Sequence, residues 1–215
     1  MDYYVNYNNI LRASNYLPYG KVVVATAPTL IPVTLAEAKT HLRLDSDFSD
    51  DDTYITTLIK AGTGQVENFI RRKLMDQSLE IYYDEFPPFI DLQFGKGGLV
   101  SSIQYYDEDN TLQTLATSQY DVDVKSKIGR IYESKDGGFP NTYARPNAVI
   151  VTYRLGESDA ANIEAEIKQA ILIIVGRYYE NRQDVIIGSQ VNEVPKMVEY
   201  ILTPFRLLEL WFLES

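Results

Sequence analysis

A chain of 215 residues, 45% hydrophobic and 23% charged, can bury one sizeable core and has the composition of a globular protein. Thirty acidic against twenty basic residues leave a net charge of -10, which argues against a surface built to grip nucleic-acid phosphates. The absence of cysteine excludes a disulfide framework, Cys-ligated zinc and a thiol nucleophile, and no apolar stretch has the length of a membrane span.

Residues 1–32 read as a Tyr-rich arm. Tyr3, Tyr4, Tyr7, Tyr16 and Tyr19 stand among asparagines, with a candidate strand at 21–25 and breaks at Pro28 and Pro32. Part of the arm is expected to order only against a neighbour. Its first ten residues carry neither the basic nor the apolar region of a signal peptide. The whole chain has seventeen Tyr and one Trp; Tyr joins an apolar ring to a polar tip and suits surfaces that meet, although a Tyr-rich β-domain is the plainer reading.

The first helix begins at Thr34, which forms a capping-box pattern with Glu37; Leu35, Ala38 and Leu42 continue it, with an end near Leu44. The acidic run at 45–52 alternates Asp45, Asp47 and Ser49 like half a calcium loop. Asp50 stands where such a loop needs Gly, and Thr56 where it needs Glu, so carboxylates capping the next helix are expected instead. That helix carries Ile55, Leu58, Ile59, Gly62, Val66, Phe69 and Ile70 on one stripe. Gly62 on the stripe predicts close packing against another helix. Arg71, Arg72 and Lys73 follow at the end where the helix dipole favours cations.

From about residue 78 to 154 the period shortens to that of strands. Runs at 79–83, 100–106, 111–115, 120–124, 129–132 and 149–153 are separated by turn residues, and Asp107, Glu108, Asp109 and Asn110 form a polar hairpin tip. After Gly156 a helical stripe returns with Ile163, Ile167, Ala170, Ile171, Ile174, Val175 and Tyr178, and Pro195 opens a further helix. The last residues, from Phe205 through Leu208, Trp211 and Phe212, are apolar on nearly every side. The pattern predicts an α+β fold: a bundle of N- and C-terminal helices with an inserted small, mostly antiparallel β-domain. The expected divisions are an arm at 1–32, helical core at 33–76 and 157–203, the β-insertion at 77–156, and a C-terminal docking segment at 204–215.

Catalytic chemistry is poorly supplied. His41 is the only histidine, no G-x-S-x-G elbow occurs, and a zinc motif that needs two histidines is impossible. The glycines around Lys96 lack phosphate-loop spacing and precede a strand, so they read as a turn. No catalytic residue, metal site or cofactor is expected.

The order of motifs carries more than any one of them. V-T-L-A-E-A-K-x-H-L-R-L-D at 33–45 precedes D-x-x-I-x-x-L-I from Asp52. The hairpin Y-x-D-E-D-x-T-x-Q-T-L at 105–115 comes next. I-L-x-I-V-x-R-Y-Y-E-N-R at 171–182 and P-x-x-V-x-x-I-L-x-P-F-R at 195–206 close the series. This order resembles the head–tail connector (adaptor, or head-completion) family of tailed bacteriophages.

The resemblance implies a non-enzymatic homo-oligomer, a ring of about a dozen copies under the portal protein. A neck stopper or tail protein would lie on its other side. DNA would pass through without specific binding, and no membrane would be involved. Such a protein is made in the bacterial cytoplasm and ends in the virion. Phe205, Leu208, Trp211 and Phe212 are then candidates for docking on the portal or a neighbouring subunit, and Asp107, Glu108, Asp109 and Asn110 for a neck contact. Two other readings compete: a neck stopper or tail-completion protein, and a Tyr-rich carbohydrate- or protein-binding module.

Overall fold

The computed structural model describes residues 20–95, 98–126, 128–181 and 195–207. Their elements run β1 (Lys21–Thr26), α1 (Leu35–Leu42), α2 (Asp52–Ile70), β2 (Gln77–Tyr83), β3 (Phe89–Leu92), β4 (Leu99–Tyr106), β5 (Leu112–Thr114), β6 (Tyr120–Asp123), β7 (Gly129–Glu133), β8 (Val149–Leu155), α3 (Ala165–Glu180) and α4 (Lys196–Leu202). The fold is α+β, with the first and last helices packed together and the strands between them.

Thr34 caps α1 as its spacing predicts. Its hydroxyl accepts from the Glu37 amide, and the Glu37 carboxylate accepts from the Thr34 amide at 2.6 Å. Burial alone would raise the Glu37 pKa, but the Thr34 donors and Lys168 hold it below the usual carboxylate range. The helix stops at Leu42, two residues short of the expected end, because Arg43 turns left-handed (φ 58°) and closes the last carbonyls.

Asp51, the N-cap of α2, makes no side-chain capping bond, which corrects the expected role of the acidic loop. The loop's carboxylates reach other elements instead: Asp51 accepts from the Tyr179 hydroxyl at 2.6 Å, and Asp52 pairs with the buried Lys39 at 2.6 Å. Both contacts fasten the start of α2 to α3 or α1.

One core joins Ile55, Leu58, Ile59, Val66 and Ile70 of α2 to Ile167, Ala170, Ile171, Ile174 and Val175 of α3, with Val198 and Leu202 from α4. Gly62 lies in the seam. A β-carbon there would sit 3.4 Å from Ile174 Cγ2 and 3.6 Å from the Ile171 carbonyl oxygen, ordinary van der Waals contact, so the helices lie close at this point and the seam would still admit a methyl. Tyr178 of α3 donates to Gln65 of α2 at 3.0 Å. Several tyrosines thus act as ties between helices rather than as exposed patches.

The strands form two antiparallel sheets, a five-stranded one in the order β1-β2-β8-β4-β5 and a three-stranded one in the order β3-β7-β6. Alternation places Leu79, Ile81 and Tyr83 of β2 and Val149, Val151, Tyr153 and Leu155 of β8 on one face. There they meet Ile90, Leu92 and Ile131 from the smaller sheet in a second core. Strand β3 is absent from the sequence expectation, because Pro87 and Pro88 read as a break and only four residues follow before the next turn. Within the stretch read as an arm, residues 21–26 form β1, the edge of the larger sheet.

The two halves are joined by a pair of adjacent crossings. Met75, leaving the helices, bridges Glu157, returning to them; the Asp76 amide donates to the Glu157 carbonyl at 3.0 Å and the Glu157 amide to the Leu74 carbonyl at 2.8 Å. Gly156 makes the return possible: its φ is +99°, and a β-carbon would lie 2.3 Å from the Met75 carbonyl oxygen.

Candidate functional site

The hairpin tip is built by its own acid. Asp107 accepts from the amides of Thr111 (2.9 Å) and Asp109 (3.1 Å) and from the Gln113 side chain (2.8 Å), while the Asn110 amide donates to the Asp107 carbonyl. Asn110 occupies the left-handed position (φ 58°) that this turn requires and that asparagine tolerates. The Thr111 amide first, then the Gln113 amide group, hold the Asp107 carboxyl below the usual range. Glu108, Asp109 and Asn110 are exposed.

A second loop supports the tip. Asn141 donates to Glu108 at 3.2 Å, Arg145 donates to Asn110 at 3.3 Å, and the Arg145 guanidinium stacks 3.9 Å over the Tyr106 ring. The Tyr143 amide donates to the Tyr106 carbonyl at 3.0 Å. Sequence pattern singled out the tip but not this buttress; the Pro- and Asn-rich stretch at 139–147 was its only signal, and it reads as an ordinary loop.

At the other end of the molecule, Phe205 is half-buried against the helical core, and the Leu207 amide donates to the Ile70 carbonyl at the end of α2. Leu208, Trp211 and Phe212 lie outside the described residues. The structure does not bring Phe205 and the hairpin tip together: one belongs to the helical half and the other to the far turn of the five-stranded sheet.

Two of the three basic residues after α2 are occupied internally. Arg72 pairs with Glu164 at 2.7 Å and with Glu157 at 3.8 Å, and Lys73 pairs with the buried Glu67 at 2.8 Å. His41 is exposed on α1, its ring lying over Gly176 of α3. Among the described residues no group of acids and histidine is placed to hold a metal ion, and no helix is long and apolar enough to cross a membrane.

Residues 32–136 match the family of phage gp6-like head–tail connector proteins. The chain is therefore similar to that family over just under half of its length. The chain also shares its fold with solved chains of gene transfer agent (GTA) particles. It is 17% identical to a chain in the neck of an empty GTA particle computed with C6 symmetry, with a TM-score of 0.70 over 87% of this chain and 96% of that one. A chain of the virion of a native gene transfer agent (GTA) particle gives 17% identity and a TM-score of 0.71 over 87% and 95%. A chain of the native GTA neck computed with C12 symmetry gives 16% identity and 0.66 over 87% and 96%. At these identities the likeness concerns the fold alone. No curated protein matches the chain. The matched family is a structural one, which points away from enzymatic activity.

Proposed function

We propose that this protein is a connector-type subunit of a ring joining the portal of a phage-like head to its tail, around an opening through which DNA passes without being specifically held. The observation that carries the reading is the family match across residues 32–136. The shared fold with chains from symmetric necks supports it. So does charge: at -10 per chain, a ring of about a dozen copies carries on the order of -120 before counterions, which suits a channel that must not grip DNA. Synthesis in the bacterial cytoplasm and residence at the head–tail junction belong to the same proposal.

In this proposal 33–76 with 157–203 is the ring's helical body, 77–156 an inserted β-domain, and 1–32 an arm that contributes strand β1 to that domain's larger sheet. Residues 204–215 dock on the portal or a neighbouring subunit, with Phe205 at their base and Leu208, Trp211 and Phe212 as anchors. The tip at Asp107, Glu108, Asp109 and Asn110 meets a neck stopper or tail protein.

Negative-stain microscopy and mass measurement of the purified protein, alone and with the portal protein, test the reading. Rings alone or on the portal are expected, and a monomer in both conditions overturns it. Truncation after Thr203 tests the docking role. A folded subunit, its melting lowered only by the lost Phe205 and Leu207 contacts, that no longer joins its partner is expected; loss of folding in the isolated subunit assigns the segment to the core instead. Replacing the tip by Asn-Gly is expected to preserve folding and block tail joining; normal joining removes the tip from the contact.

A further inference from the structure

Beside the tip, the loops at 85–88 and 139–142 enclose a groove of about 560 Å³. Its apolar surface comes from Phe86 and Phe139, stacked with ring centroids 4.7 Å apart and planes at 13°. Pro87 and Pro140 line the same groove and bring no backbone N–H to it. Glu85, Glu108 and Glu133 stand at its rim.

The way these acids are held is informative. Glu133 accepts from the Phe139 amide at 2.8 Å and Glu108 from the Asn141 side chain at 3.2 Å. In each case a neutral donor takes one oxygen of the carboxylate, fixing its direction without cancelling its charge. Neither Glu108 nor Glu133 has a cation partner among the described residues, whereas Glu67, Glu157 and Glu164 in the helical half each have one. The groove therefore combines an aromatic surface, carboxylates aimed by neutral contacts, and few backbone donors.

We propose that this groove receives an extended, arginine-bearing segment of a partner protein at the tip. Guanidinium is the chemistry that matches every part of it. Arginine presents five donors and no acceptor, pairs with carboxylates in a planar fork, and stacks on aromatic faces. An acidic segment would meet the like charge of Glu108 and Glu133, and a purely apolar one would strand those two carboxylates away from water. The proposal deepens the neck contact assigned to the tip and rests on that reading for its biological partner, but not for its chemistry.

Fluorescence anisotropy on the full chain tests it, using a labelled octapeptide that alternates Arg and Ala and its Glu/Ala counterpart. The Arg peptide is expected to bind, the Glu peptide not, and the double variant Glu108→Gln with Glu133→Gln to weaken binding at least about tenfold. Gln can still accept from Asn141 and from the Phe139 amide, so the loops keep their shape. The double variant Asp45→Asn with Asp47→Asn removes as much charge from the acidic loop before α2, and it should leave binding within about twofold. Equal loss in both double variants overturns the groove in favour of attraction to net charge, as does equal binding of the two peptides. The outcomes separate the two levels. If the Asn-Gly tip blocks tail joining while the Arg peptide fails to bind, the groove falls and the neck contact stands. If the peptide binds as expected but the Asn-Gly tip variant joins tails normally, the groove's chemistry stands and the neck contact falls.

Discussion

The helical half and the tip of the β-domain use their acids in opposite ways. In the helical half carboxylates are paired with cations from other segments: Asp52 with Lys39, Glu67 with Lys73, Glu164 with Arg72, and Glu37 with Lys168. At the tip they are oriented by amides: Asp107 by Thr111, Asp109 and Gln113, Glu108 by Asn141, and Glu133 by Phe139. An ion pair consumes charge to fix packing, while a neutral donor fixes direction and leaves the charge available. On the proposed function, the helical half is the end closed on itself and the tip is the end that meets a partner.

The largest expected effect lies in the closed half. Ile171 is fully buried and Leu58 is 8% exposed in the α2–α3 seam. Ile171→Ala and Leu58→Ala should each cost roughly 2 to 5 kcal/mol, read as a lower urea midpoint at unchanged slope. Near-zero loss at both positions would remove the shared core on which the comparison depends.

Next come the acids themselves. Glu67 is buried and accepts from both Lys73 and the Leu74 amide. Glu67→Ala leaves a half-buried cation and a buried N–H without partners and should cost roughly 3 kcal/mol. Glu108→Ala at the exposed tip should stay within about 0.5 kcal/mol. Chemical denaturation of the two variants side by side sharpens the contrast, and equal losses would erase it.

A smaller effect separates the two glycines of α2. A β-carbon added at Gly64 would have nothing within 4 Å, so Gly64→Ala should stabilise by about 1 kcal/mol through helix propensity alone. Gly62→Ala should gain at least as much, because the added methyl also makes ordinary van der Waals contact with Ile174 and the Ile171 carbonyl. Thermal melts of both variants decide the order.

The same physics explains what was legible in the sequence. Stripes such as Ile55 to Ile70 and the Thr34–Glu37 box are local, and periods and caps encode them directly; Gly62 on a stripe even announced a close helix contact. Strand β3 was not legible because four residues after two prolines carry too little period to distinguish from a turn. The role of Asp51 and Asp52 was misread because their partners, Tyr179 and Lys39, come from other helices, and the N-cap rule considers only the neighbouring amides. The tip was legible as turn chemistry. The groove beside it was not, since Phe86 and Phe139 meet across more than fifty residues of chain. Family resemblance was legible through motif order, which survives where single motifs carry only core pattern.

The smallest expected effect tests how the tip carboxylate is held. Asp107 has a pKa below its ordinary value, set first by the Thr111 amide and then by Gln113. A carboxyl whose folded pKa is depressed contributes stability that is present above the unfolded value, about 3.9, and is lost as pH falls through the folded value. Asp107→Asn keeps the shape and can still accept from the Thr111 and Asp109 amides, but it replaces the oxygen that receives Gln113 with a donor. The variant should therefore be slightly less stable than the parent above about pH 5, and the two should converge as Asp107 itself becomes protonated in acid. Added salt should leave the neutral-pH difference nearly unchanged, because amides and not cations hold the group. A difference that persists undiminished through the acid range would show that these hydrogen bonds do not favour the ionised form. One that vanishes in high salt would reveal a hidden cation partner, and the contrast between the two halves would lose its sharpest example.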